Sequence, residues 1–287
     1  MPNRNVQQID IEKPLVSVEW LLLNLKAPNL IILDASIQKV GEAKSEPQLI
    51  ARTQIKDARF FDLKMKFSDL TSEFPNTMLI PFEFSASARQ LGINKNSAIV
   101  VYDDLGIYSS PRVWWMFKAM GHTNIAVLNG GLPEWKKKGM PVEKNKIYKG
   151  ERGDFIADYK PHLMSGYKDI LNSIKIENTL VIDARSENRF NGTEPEPRVG
   201  LRRGHIPNST NLPYTELVKN GKMIAKEKLL ENFSKFDMRQ DRLVFTGGSG
   251  ITACILALGA EIAGLQNNAV YDGSWTEWGS IIELPIE

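Results

Sequence analysis

The chain repeats itself, and that repetition limits what it can fold into more than any single residue does. A short β-rich run ending in Asp-Ala occurs at Asn29-Leu30-Ile31-Ile32-Leu33-Asp34-Ala35 and again at Asn178-Thr179-Leu180-Val181-Ile182-Asp183-Ala184. An amphipathic stretch precedes each copy: Val18, Leu21, Leu22 and Leu25 share one helix face, as do Ile170, Leu171 and Ile174. Further on, Ala98 to Tyr102 and Arg242 to Phe245 have the character of buried strands. Each is followed by a glycine-containing turn and an apolar helix, Pro111 to Met120 and Thr252 to Ala263. Ile125 to Leu128 and Asn268 to Tyr271 then lead into Asn129-Gly130-Gly131-Leu132-Pro133-Glu134-Trp135 and Asp272-Gly273-Ser274-Trp275-Thr276-Glu277-Trp278.

Strands alternating with helices point to a mainly parallel sheet, because parallel strands need crossover connections. The expected fold is therefore α/β, with two domains that are each a mainly parallel sheet flanked by helices. Lys144 to Lys160 is charged, contains two glycines and lacks helical periodicity, so it is read as the connection. That places a first domain at 1–145, a linker at 146–160 and a second domain at 161–287. With 287 residues, 42% of them hydrophobic, the chain can fill two cores.

Charge excludes some functions. A formal net charge of +2 creates no strong field for nucleic acid or an acidic membrane, although a small anion needs only local charge. The single cysteine, Cys254, rules out a disulfide framework and suits a reducing compartment, so the cytoplasm is the expected location. Met1 to Pro14 is polar and carries both signs of charge, unlike a secretory signal. Apolar runs such as Leu30 to Leu33 are far shorter than the ~20 residues that span a bilayer.

The segment Phe245-Thr246-Gly247-Gly248-Ser249-Gly250-Ile251-Thr252-Ala253-Cys254 lies between a predicted strand and a predicted helix. Backbone N–H groups in such a glycine-permitted turn can converge on an anion, with the positive end of the helix dipole behind them. Gly248, Gly250 and Ala253, with Asp272 further on, superficially meet a dinucleotide fingerprint. That motif normally opens a unit with more strands to follow, and here only one remains. Ser249 fails as a hydrolase-elbow nucleophile because Ile251 stands where the last glycine belongs. A cysteine-based phosphate loop would need a cysteine at its start and an arginine near its end, and has neither.

Several further motifs carry a resemblance. They are Asp57-Ala58-Arg59-Phe60-Phe61-Asp62, Ser110-Pro111-Arg112-Val113-Trp114-Trp115, the segment at Gly130, Gly204-His205-Ile206-Pro207 and Tyr271-Asp272-Gly273-Ser274-Trp275. On these the chain resembles the tandem-domain rhodanese-like sulfurtransferases, over nearly its whole length. The family's active loop reads Cys-Gly-Ser-Gly-Val-Thr in mercaptopyruvate sulfurtransferases and Cys-Arg-Lys-Gly-Val-Thr in thiosulfate sulfurtransferases. Gly248-Ser249-Gly250-Ile251-Thr252 follows the first form.

The resemblance implies sulfur transfer from 3-mercaptopyruvate or thiosulfate, through a loop-borne persulfide, to cyanide or a thiol acceptor. A thioredoxin-like protein is among the acceptors it suggests; no cofactor, metal, nucleic acid or membrane is implied. By the same resemblance Gly247 takes the position of the sulfur-carrying cysteine. Ser249 and Thr252 are then catalytic-loop residues, and Gly248, Gly250 and Ile251 complete the cradle. Arg189 and Arg198 hold the anionic donor.

The chain also departs from the pattern. Glycine at 247 offers no atom to carry sulfur, and Cys254, within the following helix, is expected to be a buried structural thiol. Thr77 stands where mercaptopyruvate-type members carry a histidine, and a threonine cannot act as a general acid near neutral pH. His205 is expected to be a structural turn residue. The place equivalent to Gly247 in the first half holds Asp103 or Asp104, and that half is expected to support rather than react. Two functions follow: a sulfurtransferase lacking its nucleophile, or a non-catalytic anion-binding or sulfur-relay module.

Overall fold

A computed structural model describes residues 7–38, 52–174, 178–236 and 242–287. In the first half the strands are β1 (Leu15–Val16), β2 (Leu30–Asp34), β3 (Thr53–Ile55), β4 (Arg59–Phe60), β5 (Ala98–Tyr102), β6 (Ile125–Leu128) and β7 (Val142–Lys144). The helices there are α1 (Val18–Asn24), α2 (Pro81–Gln90), α3 (Ser110–Ala119) and α4 (Gly131–Lys137). The second half has β8 (Met164–Ser165), β9 (Thr179–Asp183), β10 (Thr210–Asn211), β11 (Val218–Lys219), β12 (Lys222–Met223), β13 (Arg242–Thr246) and β14 (Asn268–Tyr271). Its helices are α5 (Tyr167–Ser173), α6 (Glu187–Phe190), α7 (Lys226–Phe233), α8 (Ala253–Ala263) and α9 (Ser274–Trp278).

The repeat seen in the sequence is a repeat in space. The first sheet has the strand order β1-β6-β5-β2-β4, and the second, taken from its β8 edge, runs β8-β14-β13-β9-β10, with parallel pairing throughout. Asp34 pairs with Tyr102 and Asp183 with Thr246, so β5 and β13 end in register and the loops after them occupy equivalent places. β5 reads Ala-Ile-Val-Val-Tyr and is buried along its whole length, as a strand covered on both faces should be.

The helices after those strands, α3 and α8, pack against each other across the halves. Both are apolar nearly all round, which suits a helix enclosed on every side: α3 buries Val113, Trp114, Trp115, Met116 and Phe117, and α8 buries every residue from Ala253 to Ala260. One hydrophobic cluster runs through them from the first sheet to the second. Truncating Trp114 or Trp115 to alanine would cost about 3–5 kcal/mol. Ion pairs Lys118–Glu261 and Lys222–Glu134 also bridge the halves.

Residues 146–160, read from the sequence as a linker, contain no helix or strand. They lie along the first half, where the amides of Gly153, Phe155 and Lys160 donate to Arg89, Ile93 and Ala119 carbonyls at 2.9, 3.1 and 2.7 Å. Phe155 is buried with Phe84 and Phe117.

Candidate active site

The loop Gly247–Thr252 joins β13 to α8. Two of its glycines play different parts. Gly250 has φ +75°, and a Cβ there would fall 2.7 Å from the Asp272 carbonyl oxygen, so the turn demands glycine. Gly247 has no positive φ. A Cβ at 247 would meet Thr252 Oγ1 at 2.7 Å, Ala253 N at 3.3 Å and Ala184 Cβ at 3.8 Å, so a side chain fits once the Thr252 hydroxyl turns aside.

Ser274 fixes the loop from α9. Its Oγ accepts from Gly247 N and Gly250 N, both at 3.1 Å, and donates to the Tyr271 carbonyl at 2.8 Å. Trp275 N and Thr276 N donate to the Gly247 and Gly248 carbonyls at 2.9 and 2.8 Å. The amides of Gly248, Ser249, Ile251, Thr252 and Ala253 are left without a protein acceptor among the described residues. They lie at the start of α8, whose dipole places about half a positive charge there.

Between the halves, Gly248, Ser249, Ile251 and Thr252 line a cavity of about 300 Å³ with Ala184, Arg185, Arg189, Arg198 and Tyr214 from the second half and Ile37, Lys64 and Tyr108 from the first. Gly247 and Gly250 are buried and are not among the lining residues. Of the two arginines singled out from the sequence, Arg189 is committed to Glu196, its Nη2 lying 2.5 Å from Oε2, and it lies over Gly248. Glu196 also receives Arg185 at 2.7 Å. Arg185 is itself fully buried, paired with Asp183 at 2.7 Å and stacked on Trp275.

Arg198 has no carboxylate partner within ion-pair distance among the described residues. Its Nη2 donates to Ser249 Oγ at 3.4 Å. Burial, and then the charge of Arg189, push its pKa down. Ser249 Oγ also accepts from Asn76 Nδ2 at 2.9 Å, and Asn76 Oδ1 accepts from Lys64 Nζ at 2.5 Å. Lys64 is lowered to about 8 by burial, with the charges of Arg198 and Arg112 adding to the effect. Among the described residues the cavity therefore has two cations, Lys64 and Arg198, without a carboxylate partner, and the loop supplies unclaimed amides beside them.

Sequence reasoning missed Lys64, Asn76, Arg185 and Ser274. Arg185 carried a signal, directly after the repeated Asp-Ala, and Ser274 lay in a matched motif. Lys64 and Asn76 carried none. Thr77 lies outside the cavity lining: its hydroxyl donates to the Phe74 carbonyl at 2.9 Å and meets Ser72 Oγ at 2.8 Å. His205 stacks on Phe190 at 3.8 Å, with Nδ1 2.9 Å from the Phe190 carbonyl. Cys254 is fully buried in α8, its thiol donates to the Gly250 carbonyl at 3.2 Å, and burial pushes its pKa up to about 12. Arg112, buried in α3, reaches under the loop to pair with Asp272 and donates to the Asn76 carbonyl at 2.8 Å.

The rhodanese-like domain family matches residues 17–138 and 167–281, one copy for each sheet. The chain belongs to the rhodanese-like sulfurtransferases. Mouse 3-mercaptopyruvate sulfurtransferase is 39% identical over 93% of this chain and 92% of its own length. The mitochondrial thiosulfate/3-mercaptopyruvate sulfurtransferase 1 of Arabidopsis thaliana is 37% identical over 99% of this chain and 80% of its own length. Among rhodanese-fold structures, SseA of Escherichia coli, a 3-mercaptopyruvate sulfotransferase, superposes with a TM-score of 0.82 at 31% identity, covering 92% of this chain and 99% of that one. The sulfur transferase subunit of yeast mitochondrial complex I superposes with a TM-score of 0.85 at 30% identity over 96% of this chain and 98% of that subunit. Among the described residues of this rhodanese-like chain, no helix is long and apolar enough to cross a membrane.

Proposed function

We propose that this chain is a sulfurtransferase scaffold that keeps the donor site of its family and lacks the atom that carries sulfur. The observation that supports this is the pairing of the unclaimed amides of Gly248, Ser249, Ile251, Thr252 and Ala253 with a backbone at Gly247 that can hold a side chain and does not. Lys64 and Arg198 supply charge for the carboxylate of 3-mercaptopyruvate or the sulfonate end of thiosulfate.

A cysteine at 247 would be drawn toward its thiolate by the loop amides and the end of α8. Its thiolate attacks the donor sulfur. An S–S bond forms as the C–S bond of 3-mercaptopyruvate breaks, and the electron pair leaves with the pyruvate enolate, which takes a proton from water. With thiosulfate the S–S bond breaks and sulfite leaves. Cyanide or a thiol, such as that of a thioredoxin-like protein, then removes the outer sulfur and restores the thiolate. A buried lone cysteine elsewhere fits a cytoplasmic setting for such thiol chemistry.

The test is Gly247→Cys beside the unaltered chain, assayed for turnover with both donors and for a mass gain of one sulfur atom. The variant is expected to form the persulfide and turn over, and the unaltered chain to do neither. A folded variant that gains no sulfur from either donor would overturn this reading in favour of a module that only binds an anion.

A further inference from the structure

The cavity between the halves holds one side chain able to form a lasting bond with a ketone. Among its described lining residues there is no cysteine, no histidine and no carboxylate. Arg185, Arg189 and Arg198 stay protonated, so their nitrogens have no lone pair to give. The hydroxyls of Ser249 and Thr252 have one hydrogen each, and their adducts with a ketone cannot go on to a neutral double bond. An amine has two hydrogens and can. Lys64 supplies the amine on this lining.

The surroundings of Lys64 favour its neutral form. No carboxylate among the described residues lies within ion-pair distance, and Nζ meets an uncharged acceptor, Asn76 Oδ1, at 2.5 Å. That acceptor is fixed: Asn76 is buried, its Nδ2 donates to the Ser249 carbonyl and hydroxyl at 3.1 and 2.9 Å, and its own carbonyl accepts from Arg112 Nη2 at 2.8 Å. A neutral amine keeps the Asn76 bond with one hydrogen and retains its lone pair. Burial contributes most to this preference, and the charges of Arg198 on the cavity and Arg112 beneath the loop add to it, bringing the Lys64 pKa to about 8. At about pH 7.5 roughly a quarter of such amines are neutral, against about one in a thousand at the ordinary value of about 10.4. Desolvation and a neighbouring cation are what turn a lysine into a nucleophile.

We infer that Lys64 forms a reversible imine with a small 2-oxo acid, of pyruvate size, whose carboxylate rests against Arg198. The inference takes the cavity as the donor site proposed above and adds a covalent bond to the ligand's ketone. The amine nitrogen attacks the carbonyl carbon, a C–N bond forms, and the carbonyl π pair moves to oxygen. The two amine hydrogens then leave with that oxygen as water, and a C=N bond remains. No oxidant or reductant takes part, and water reverses each step. Both 3-mercaptopyruvate and the pyruvate left after sulfur transfer carry the ketone, whereas thiosulfate does not, so Lys64 selects oxo acids.

The test is borohydride reduction of the full chain with pyruvate at about pH 7.5, followed by peptide mass mapping. Borohydride delivers hydride to the imine carbon and fixes the adduct. The expected result is a saturable mass gain of one reduced pyruvate on Lys64, exceeding by about tenfold or more that on exposed Lys66, two residues along. Lactate, which has the carboxylate and no ketone, should protect Lys64 and leave no adduct of its own. Labelling that spreads over surface lysines, spares Lys64 or ignores lactate would sink the inference. So would a folded Lys64→Arg that traps as much pyruvate as the parent; if that variant does not fold, the peptide map of the unaltered chain decides. Persulfide formation by Gly247→Cys with no adduct on Lys64 would remove this inference and leave the proposed function standing. An adduct without a persulfide would do the reverse.

Discussion

Lys64 gives the site a dependence on pH that its arginines cannot. Burial disfavours the ammonium and brings its pKa to about 8, so it is charged below that value and neutral above it. Affinity for a carboxylate or thiosulfate is therefore expected to fall by about tenfold, ~1.4 kcal/mol, as pH rises through about 8. A bound anion raises the lysine pKa and moves that midpoint upward. Calorimetric titration across pH checks this, and Lys64→Met should flatten the curve at the weaker limit. The sign for folding is opposite: because the folded pKa lies below the unfolded value of about 10.4, charging Lys64 subtracts stability below pH 8 and nothing above pH 10.4. None of this was legible in the sequence. Lys64 meets the loop through Asn76, whose contact with Ser249 spans 173 positions, and no local pattern announces a meeting at that distance.

At the level of elements, the turn after β13 depends on its backbone. Gly250→Ala would place a methyl against the Asp272 carbonyl in a left-handed conformation, and should cost about 1–3 kcal/mol in chemical denaturation. The sequence showed this loop clearly because its glycines and serine stand between two well-marked elements. Strands β2, β5, β6, β9, β13 and β14 were legible for a related reason: each is a run of four or five residues dominated by β-branched, aromatic or other apolar side chains. The edge strands β1, β4, β8 and β10 have two residues each, too few to show an alternation, and only their neighbours hold them in line. Ser274 is similar. Its motif was visible, but its task of gathering two loop amides becomes apparent only when α9 is folded against the loop that precedes α8.

For the whole molecule, the two halves share one apolar interior through α3 and α8, and buried Arg112 ties the first half to Asp272 beneath the loop of the second. They should therefore melt together. Scanning calorimetry is expected to give a single transition with equal calorimetric and van't Hoff enthalpies, and two resolved transitions would contradict that coupling. The repeat was readable because duplication preserves the order of elements, whereas the shared interior was not, since nothing in a buried helix's composition says which neighbour buries it. Asp103 shows how differently two like turns can be held: its carboxylate accepts from the amides of Leu105, Tyr108, Ser109 and Ser110 and closes the first-half turn from within. The second-half turn begins with glycine, has no such side chain, and is fastened from outside by Ser274.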